Sequence, residues 1–123
     1  MAMQKKTAGH QPKECSVKLM AIRDTMELLS GKWKIQIIGA LLQKGTLRFM
    51  DLLREVEGIA AKMLSKELQE LEINELVTRT VCDTKPITVE YEITAYGKTL
   101  EKVIAEIAQW GDQHRKRLFR QSK

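Results

Sequence analysis

Residues 49–74 read FMDLLREVEGIAAKMLSKELQELEIN, two helical periods separated by one break. Phe49, Leu52, Leu53 and Val56 mark a short helix with a single apolar face. Glu57-Gly58-Ile59 interrupts it, and from about Ala60 to Asn74 the period resumes, with Leu64, Leu68 and Leu71 as a buried stripe and Met63 at its edge. Two helices joined by a three-residue turn centred on glycine match a helix-turn-helix, a motif whose second helix can enter the DNA major groove.

The flanking residues extend the pattern in both directions. Upstream, Leu19, Ile22, Met26 and Leu29 recur every three or four residues in a helix that starts near Val17 and stops at Ser30-Gly31. A second helix is expected from Lys32 to about Leu42, turning Trp33, Ile37, Ile38, Leu41 and Leu42 inward, with Lys44-Gly45 as its stop and Thr46–Arg48 as a short extended piece. Downstream the period changes to two. Val77, Arg79 and Val81 alternate with Thr78 and Thr80, Asp83-Thr84-Lys85-Pro86 forms a turn, and Val89, Tyr91 and Ile93 alternate with Glu90 and Glu92 on the way back. Thr94 is the expected N-cap of a last helix carrying Leu100, Val103, Ile104, Ile107 and Trp110.

A helix-turn-helix followed by a β-hairpin describes a winged helix. The expected fold is mainly α with a small β-hairpin, an α+β class, with extra N- and C-terminal helices whose apolar stripes most simply meet a second copy of the chain. Residues 1–13 are expected to be a flexible arm, 14–113 the winged-helix domain with its flanking helices, and 114–123 a basic tail. The 123 residues allow about one domain. A homodimer also suits two recognition helices about 34 Å apart that read half-sites of a palindromic operator one DNA turn apart.

The net charge of +5 suggests a polyanionic partner, but it is unevenly placed. Residues 14–113 hold all 16 acids and only thirteen of the 21 bases, a net −3. The excess comes from Lys5, Lys6 and Lys13 at one end and Arg115, Lys116, Arg117, Arg120 and Lys123 at the other. A solvated tail explains these as readily as DNA tracking does. The case for nucleic acid therefore rests on particular side chains rather than on the total.

With Leu64 at the centre of the buried face, the 100° helical step puts Lys62, Gln69 and Lys66 almost opposite, with Ser65 beside them. Lysine can bond guanine edges or phosphate, glutamine can bond adenine in two places, and serine can bond either strand. The plain alternative is an ordinary polar helix face. Glu67 and Glu70 fall to one side and are expected to face away from phosphate. Arg48, at the entry to the third helix, can reach backbone flanking the groove or form a structural salt bridge. Thr84 and Lys85 at the wing tip can reach the neighbouring minor groove or its phosphates, although a single lysine makes a weakly charged wing.

Cys15 is expected just ahead of a helix N-terminus, between Lys13 and Lys18, where dipole and positive charge favour a thiolate open to electrophiles or oxidants. An inert buried thiol is the common alternative. Cys82, at the end of the first wing strand, reads as structural, with a Cys15 to Cys82 bond between subunits as a further option. Two distant cysteines make neither a disulfide scaffold nor a zinc pair and suggest a reducing compartment. The first fourteen residues lack a signal-like apolar core, and the apolar run Ile37–Leu42 is far short of the roughly 20 residues needed to span a bilayer. A cytoplasmic protein without a membrane partner is expected.

From Cys15 to about Trp110 the chain resembles the HxlR-type family of bacterial winged-helix transcriptional regulators. The matching signposts are Cys15, Leu29-Ser30-Gly31-Lys32-Trp33, Arg48-Phe49 with Leu52, Ile59 with Lys62, Leu64-Ser65, Leu68 and Leu71. They continue through Leu76-Val77 with Arg79, Val89-Glu90-Tyr91, Ile93-Thr94 and Gly97. The resemblance implies a dimeric regulator of double-stranded DNA whose first and last helices build the dimer. Many members use the cysteine before the first helix as a sensor. Two positions depart from the pattern: Ala60 stands where the family often has Ser or Thr, and Ser16 follows the cysteine where proline is common.

No catalytic constellation is evident, and an enzyme is not expected. His10 and His114 have no metal-ligand spacing with another His or Cys, no Gly-x-Ser-x-Gly elbow is present, and no cofactor or metal is implied. Gly97-Lys98-Thr99 ends like a phosphate loop, but the glycine required five residues earlier is Glu92. The scattered aromatics form no stacking platform for single strands. Two other readings remain: a winged-helix protein-protein adaptor, whose recognition face should be apolar or acidic, and a regulator without redox sensing.

Overall fold

Gly31 adopts φ +80, and the chain divides at this point into two compact units, Met1–Ser30 and Gly31–Lys123. The structure, a computed structural model, describes the backbone of residues 14–121 and the side chains of 16–120. The expected arm, residues 1–13, lies outside the described residues.

In the first unit, α1 spans Glu14–Leu28, beginning three residues before Val17, where the helix was expected to start. Leu29 is buried, whereas Leu19, Ile22 and Met26 are more than half exposed. The stripe is therefore real in sequence but uncovered along most of its length in this single chain.

In the second unit, α2 (Lys34–Lys44) begins after Trp33 and ends at Gly45, whose φ of +85 turns the chain. Ile37, Ile38 and Leu41 on α2 are at most 1% exposed. They meet Leu52 from α3 (Phe49–Glu55) and Leu64, Leu68 and Leu71 from α4 (Ala61–Ile73), all fully buried. Side chains of this size contribute about 1.5–3 kcal/mol each when fully buried, so the apolar stripes fix how these helices pack. α2 also lies against α6 (Glu101–Gln121).

The α4 helix ends in a paired-hydrogen-bond turn. Glu75 N–H donates to the Glu72 carbonyl and Leu76 N–H to the Leu71 carbonyl, which forces Glu75 to φ +63, a position usually given to glycine. The chain then enters β2 (Val77–Cys82), turns, and returns as β3 (Thr88–Ile93). β2 and β3 pair antiparallel from Val77 opposite Ile93 to Cys82 opposite Thr88. The extended piece before α3 is a third strand, β1 (Leu47–Arg48), antiparallel to β3 with Leu47 opposite Tyr91. The sheet order β1-β3-β2 leaves β2 at an edge. Val77, Tyr91 and Ile93 are buried, but Val81 is 52% exposed. The expected inward face of β2 fails beyond Val77 because the hairpin runs past the helices that would cover it.

One further expectation is corrected. The last helix is two helices, α5 (Ala95–Lys98) and α6. Thr94 caps α5 as expected, its Oγ1 accepting from Gly97 N–H at 2.8 Å. Thr99 then donates its hydroxyl to the Tyr96 carbonyl at 2.6 Å, and a tight turn at Leu100 precedes α6. The basic run expected as a tail from residue 114 continues α6 as far as Gln121. Gly97 is required by packing, since a Cβ there would lie 2.4 Å from the Leu76 carbonyl oxygen.

Candidate nucleic-acid interface

α3 stops at Val56, whose N–H donates to the Leu52 carbonyl, and Gly58 takes φ +91 in the turn to α4. Ile59 is buried, anchoring that turn to the core. Ala60 is the N-cap of α4 and makes no side-chain cap, so the helix start lacks the hydroxyl that serine or threonine would supply.

On α4 the two faces separate as the 100° step requires. Leu64, Leu68 and Leu71 are buried, and Lys62, Ser65, Lys66 and Gln69 are all exposed on the other side. The structure thus brings these four together on one surface of one helix. Among the described residues Lys62 forms no ion pair, while Lys66 Nζ lies 3.7 Å from Glu70 Oε2.

Arg48 sits at the junction of β1 and α3. Its backbone N–H donates to Asp51 Oδ2 at 3.3 Å, while its exposed guanidinium is in no ion pair among the described residues. The salt bridge considered for it is instead made by Arg54, whose Nη2 is 2.6 Å from Asp51 Oδ1. Arg48, Met50, Arg54, Ile87 and Val89 border an open cleft of 480 Å³ between α3 and the wing. At the wing tip Lys85 is exposed, and Thr84 is partly committed to the turn: its hydroxyl donates to the Pro86 carbonyl at 2.7 Å. The same hydroxyl lies 3.4 Å from Thr88 Oγ1, so Thr84 is a turn residue first.

The sequence reading missed a charged cluster behind α4. Glu67, expected to one side of the exposed face, is buried: it is 7% exposed and pairs with Lys34 on α2, 5% exposed, at 2.5 Å. Glu70 also reaches Lys34, at 2.6 Å. Burial disfavours the Lys34 ammonium, but hydrogen bonds and charge from Glu67 and Glu70 outweigh it and raise its pKa above the ordinary value. Glu70 is shifted below its ordinary value, mainly by the hydrogen bond and charge of Lys34. The signal was present: Glu67 lies three residues after Leu64 and four before Leu71, on the buried stripe, and Lys34 precedes Ile37 and Ile38 by three and four.

On α6, Trp110 stacks on His114 with centroids 5.1 Å apart, Arg115 lies over Phe119, and Lys116 pairs with Asp112 at 3.1 Å. Val103, Ile107 and Trp110 are exposed, so part of the expected α6 stripe is also uncovered. Cys15 falls within the first turn of α1 rather than ahead of it, and its side chain lies outside the described residues. Cys82 is a free, half-buried thiol opposite Thr88. Among the described residues no group of His, Cys, Asp and Glu could hold a metal ion, and no helix is long and apolar enough to cross a membrane.

The model of the HxlR-like helix-turn-helix family matches residues 28–119. The chain belongs to that family. Among its relatives, the HTH-type transcriptional regulator YtcD of Bacillus subtilis is 35% identical over 100 residues, covering 81% of this chain and 79% of that protein. Among solved structures, the redox regulator HypR in its reduced form has a TM-score of 0.74 at 33% identity, covering 80% of this chain and 96% of HypR. The reduced transcriptional regulator YodB of B. subtilis has a TM-score of 0.67 at 35% identity, covering 76% and 90%. These structural neighbours are winged-helix regulators, the fold expected from the turn at Gly58 and the wing that follows.

Proposed function

We propose that this HxlR-like chain is a transcriptional regulator that binds double-stranded operator DNA as a homodimer in the cytoplasm, with α4 in the major groove. The observation that carries this reading is the exposed face of α4. Lys62, Ser65, Lys66 and Gln69 share it, opposite a fully buried leucine stripe, directly after the turn at Gly58. Such a face offers donors and acceptors to base edges and positive charge to phosphate. Arg48 and Lys85 add phosphate contacts at the flanks, with Thr84 beside Lys85 at the wing tip, and Arg115, Arg117 and Arg120 on α6 add positive charge. A protein-docking winged helix should carry an apolar or acidic face at α4, and this one does not.

The dimer would use the uncovered apolar positions of α1 and α6, and its two-fold symmetry calls for a palindromic operator. The gel-shift test uses the intergenic DNA upstream of the chain's own gene. Wild type should retard this duplex in preference to a scrambled one of equal length, and equal retardation of both would refute sequence-specific binding.

A second reading adds a redox function. The structural likeness to a redox regulator supports Cys15 as a thiol sensor of electrophiles or oxidants, with modification changing how the dimer halves pack. Diamide or quinone treatment should lower operator affinity in wild type and leave Cys15→Ser unchanged. Retained affinity in treated wild type, or a responsive Cys15→Ser, would refute it.

A further inference from the structure

Lys34, Glu67, Glu70 and Lys66 form a chain of charges that runs from the buried side of α4 to its exposed face. Glu70 is the branch point. One of its oxygens lies 2.6 Å from Lys34 Nζ and the other 3.7 Å from Lys66 Nζ. Lys34 is buried and Lys66 is well exposed, so the nearer cation is also the less hydrated one and holds Glu70 more strongly.

We propose that Lys34 is a positioning residue for DNA recognition: by holding Glu70 toward α2 it keeps the Lys66 ammonium available to phosphate or a base edge. The inference rests on the DNA-binding reading given above. Without Lys34, Glu70 would turn to Lys66, four residues earlier on the same helix, and the exposed face would lose part of one positive contact. Glu67 plays the other role, giving Lys34 a second buried partner that fixes where its ammonium sits.

The test uses the full chain and a fluorescein-labelled duplex of the upstream intergenic DNA, with binding followed by anisotropy across a salt series. Lys34→Met alone can fail to fold because it strands Glu67, so the informative variant is Lys34→Met/Glu67→Met. It removes one charge of each sign and leaves the net field unchanged. Its slope of log affinity against log salt should be shallower than wild type by up to about 0.9, the value of one phosphate contact. Affinity should fall about two-fold, the strength of an i,i+4 ion pair set against that contact. Adding Glu70→Gln should restore the slope, and should raise affinity more in the double variant than in wild type. Lys34→Arg should keep the wild-type slope.

An unchanged slope in the double variant, or the same gain from Glu70→Gln in both backgrounds, would overturn the role of Lys34 while leaving the DNA-binding reading intact. If wild type shows no salt-dependent DNA binding at all, the reading beneath the proposal fails as well.

Discussion

Replacing Lys34 by Met keeps the length of the side chain and removes its charge, leaving the Glu67 carboxylate, with a side chain 9% exposed, without its cation. At the 2.5 Å separation of this pair, an effective dielectric near 20 gives an attraction of about 7 kcal/mol. Part of that is cancelled by the lysine desolvation that the mutation also removes, and breaking one side of a buried pair typically costs about 3–5 kcal/mol. Glu70 adds little, because its side chain is 40% exposed and water can take over. The expected destabilisation is therefore about 3–5 kcal/mol, which lowers the melting temperature by roughly 12 °C or more for a unit of this size. Urea unfolding followed by circular dichroism measures it. Lys34→Met/Glu67→Met should recover to within about 1 kcal/mol of wild type, since apolar side chains of similar volume replace a buried ion pair at little cost. A loss below about 1 kcal/mol in the single variant would mean that the pair behaves as a solvated one. A double variant as unstable as the single would mean that packing, not a stranded charge, is responsible.

Three other outcomes follow from the same geometry. The Glu70 pKa is lowered in the folded chain, so its contribution is present above its ordinary value near 4.5 and is lost as pH falls through the lower folded value. The Lys34 pKa is raised, so its contribution is full below 10.5 and is lost as pH rises through the higher folded value; urea midpoints should form a plateau between these limits, and a steady slope across it would contradict the pairing. Glu75→Gly relieves a left-handed conformation and should stabilise the chain by about 0.5–1 kcal/mol in the same assay, with a loss of stability as the contrary result. Gly97→Ala drives a Cβ against the Leu76 carbonyl and the Ile93 side chain and should cost about 1–3 kcal/mol; a neutral result would show that the turn gives way freely.

The helix-turn-helix and the wing were legible because their periods are local. Leu64, Leu68 and Leu71 repeat within one helix, and Val89, Tyr91 and Ile93 within one strand. What escaped depends on partners far apart in sequence. β1 has two residues, too few to display a period, and becomes a strand only by pairing with Tyr91 and Glu90 on β3. The helical period places Glu67 only to one side of the exposed face; its burial in an ion pair depends on Lys34, 33 residues away and similarly buried. Val81 shows the opposite failure: its alternation was correct, but an edge strand that outruns the core gives it nothing to pack against. The exposed face of α4 was read correctly as a surface. The cluster behind it, which governs what Lys66 is free to do, became visible only once α2 and α4 were placed together.

Whether the α4 face holds DNA is decided by the salt dependence of operator binding in Lys62→Ala/Lys66→Ala. Each phosphate contact contributes about 0.9 to the slope of log affinity against log salt, so two lost contacts should make it shallower by up to about 1.8 while the chain stays folded. A variant that remains folded and binds with the wild-type slope and affinity would contradict the assignment of α4 as the DNA-contacting helix.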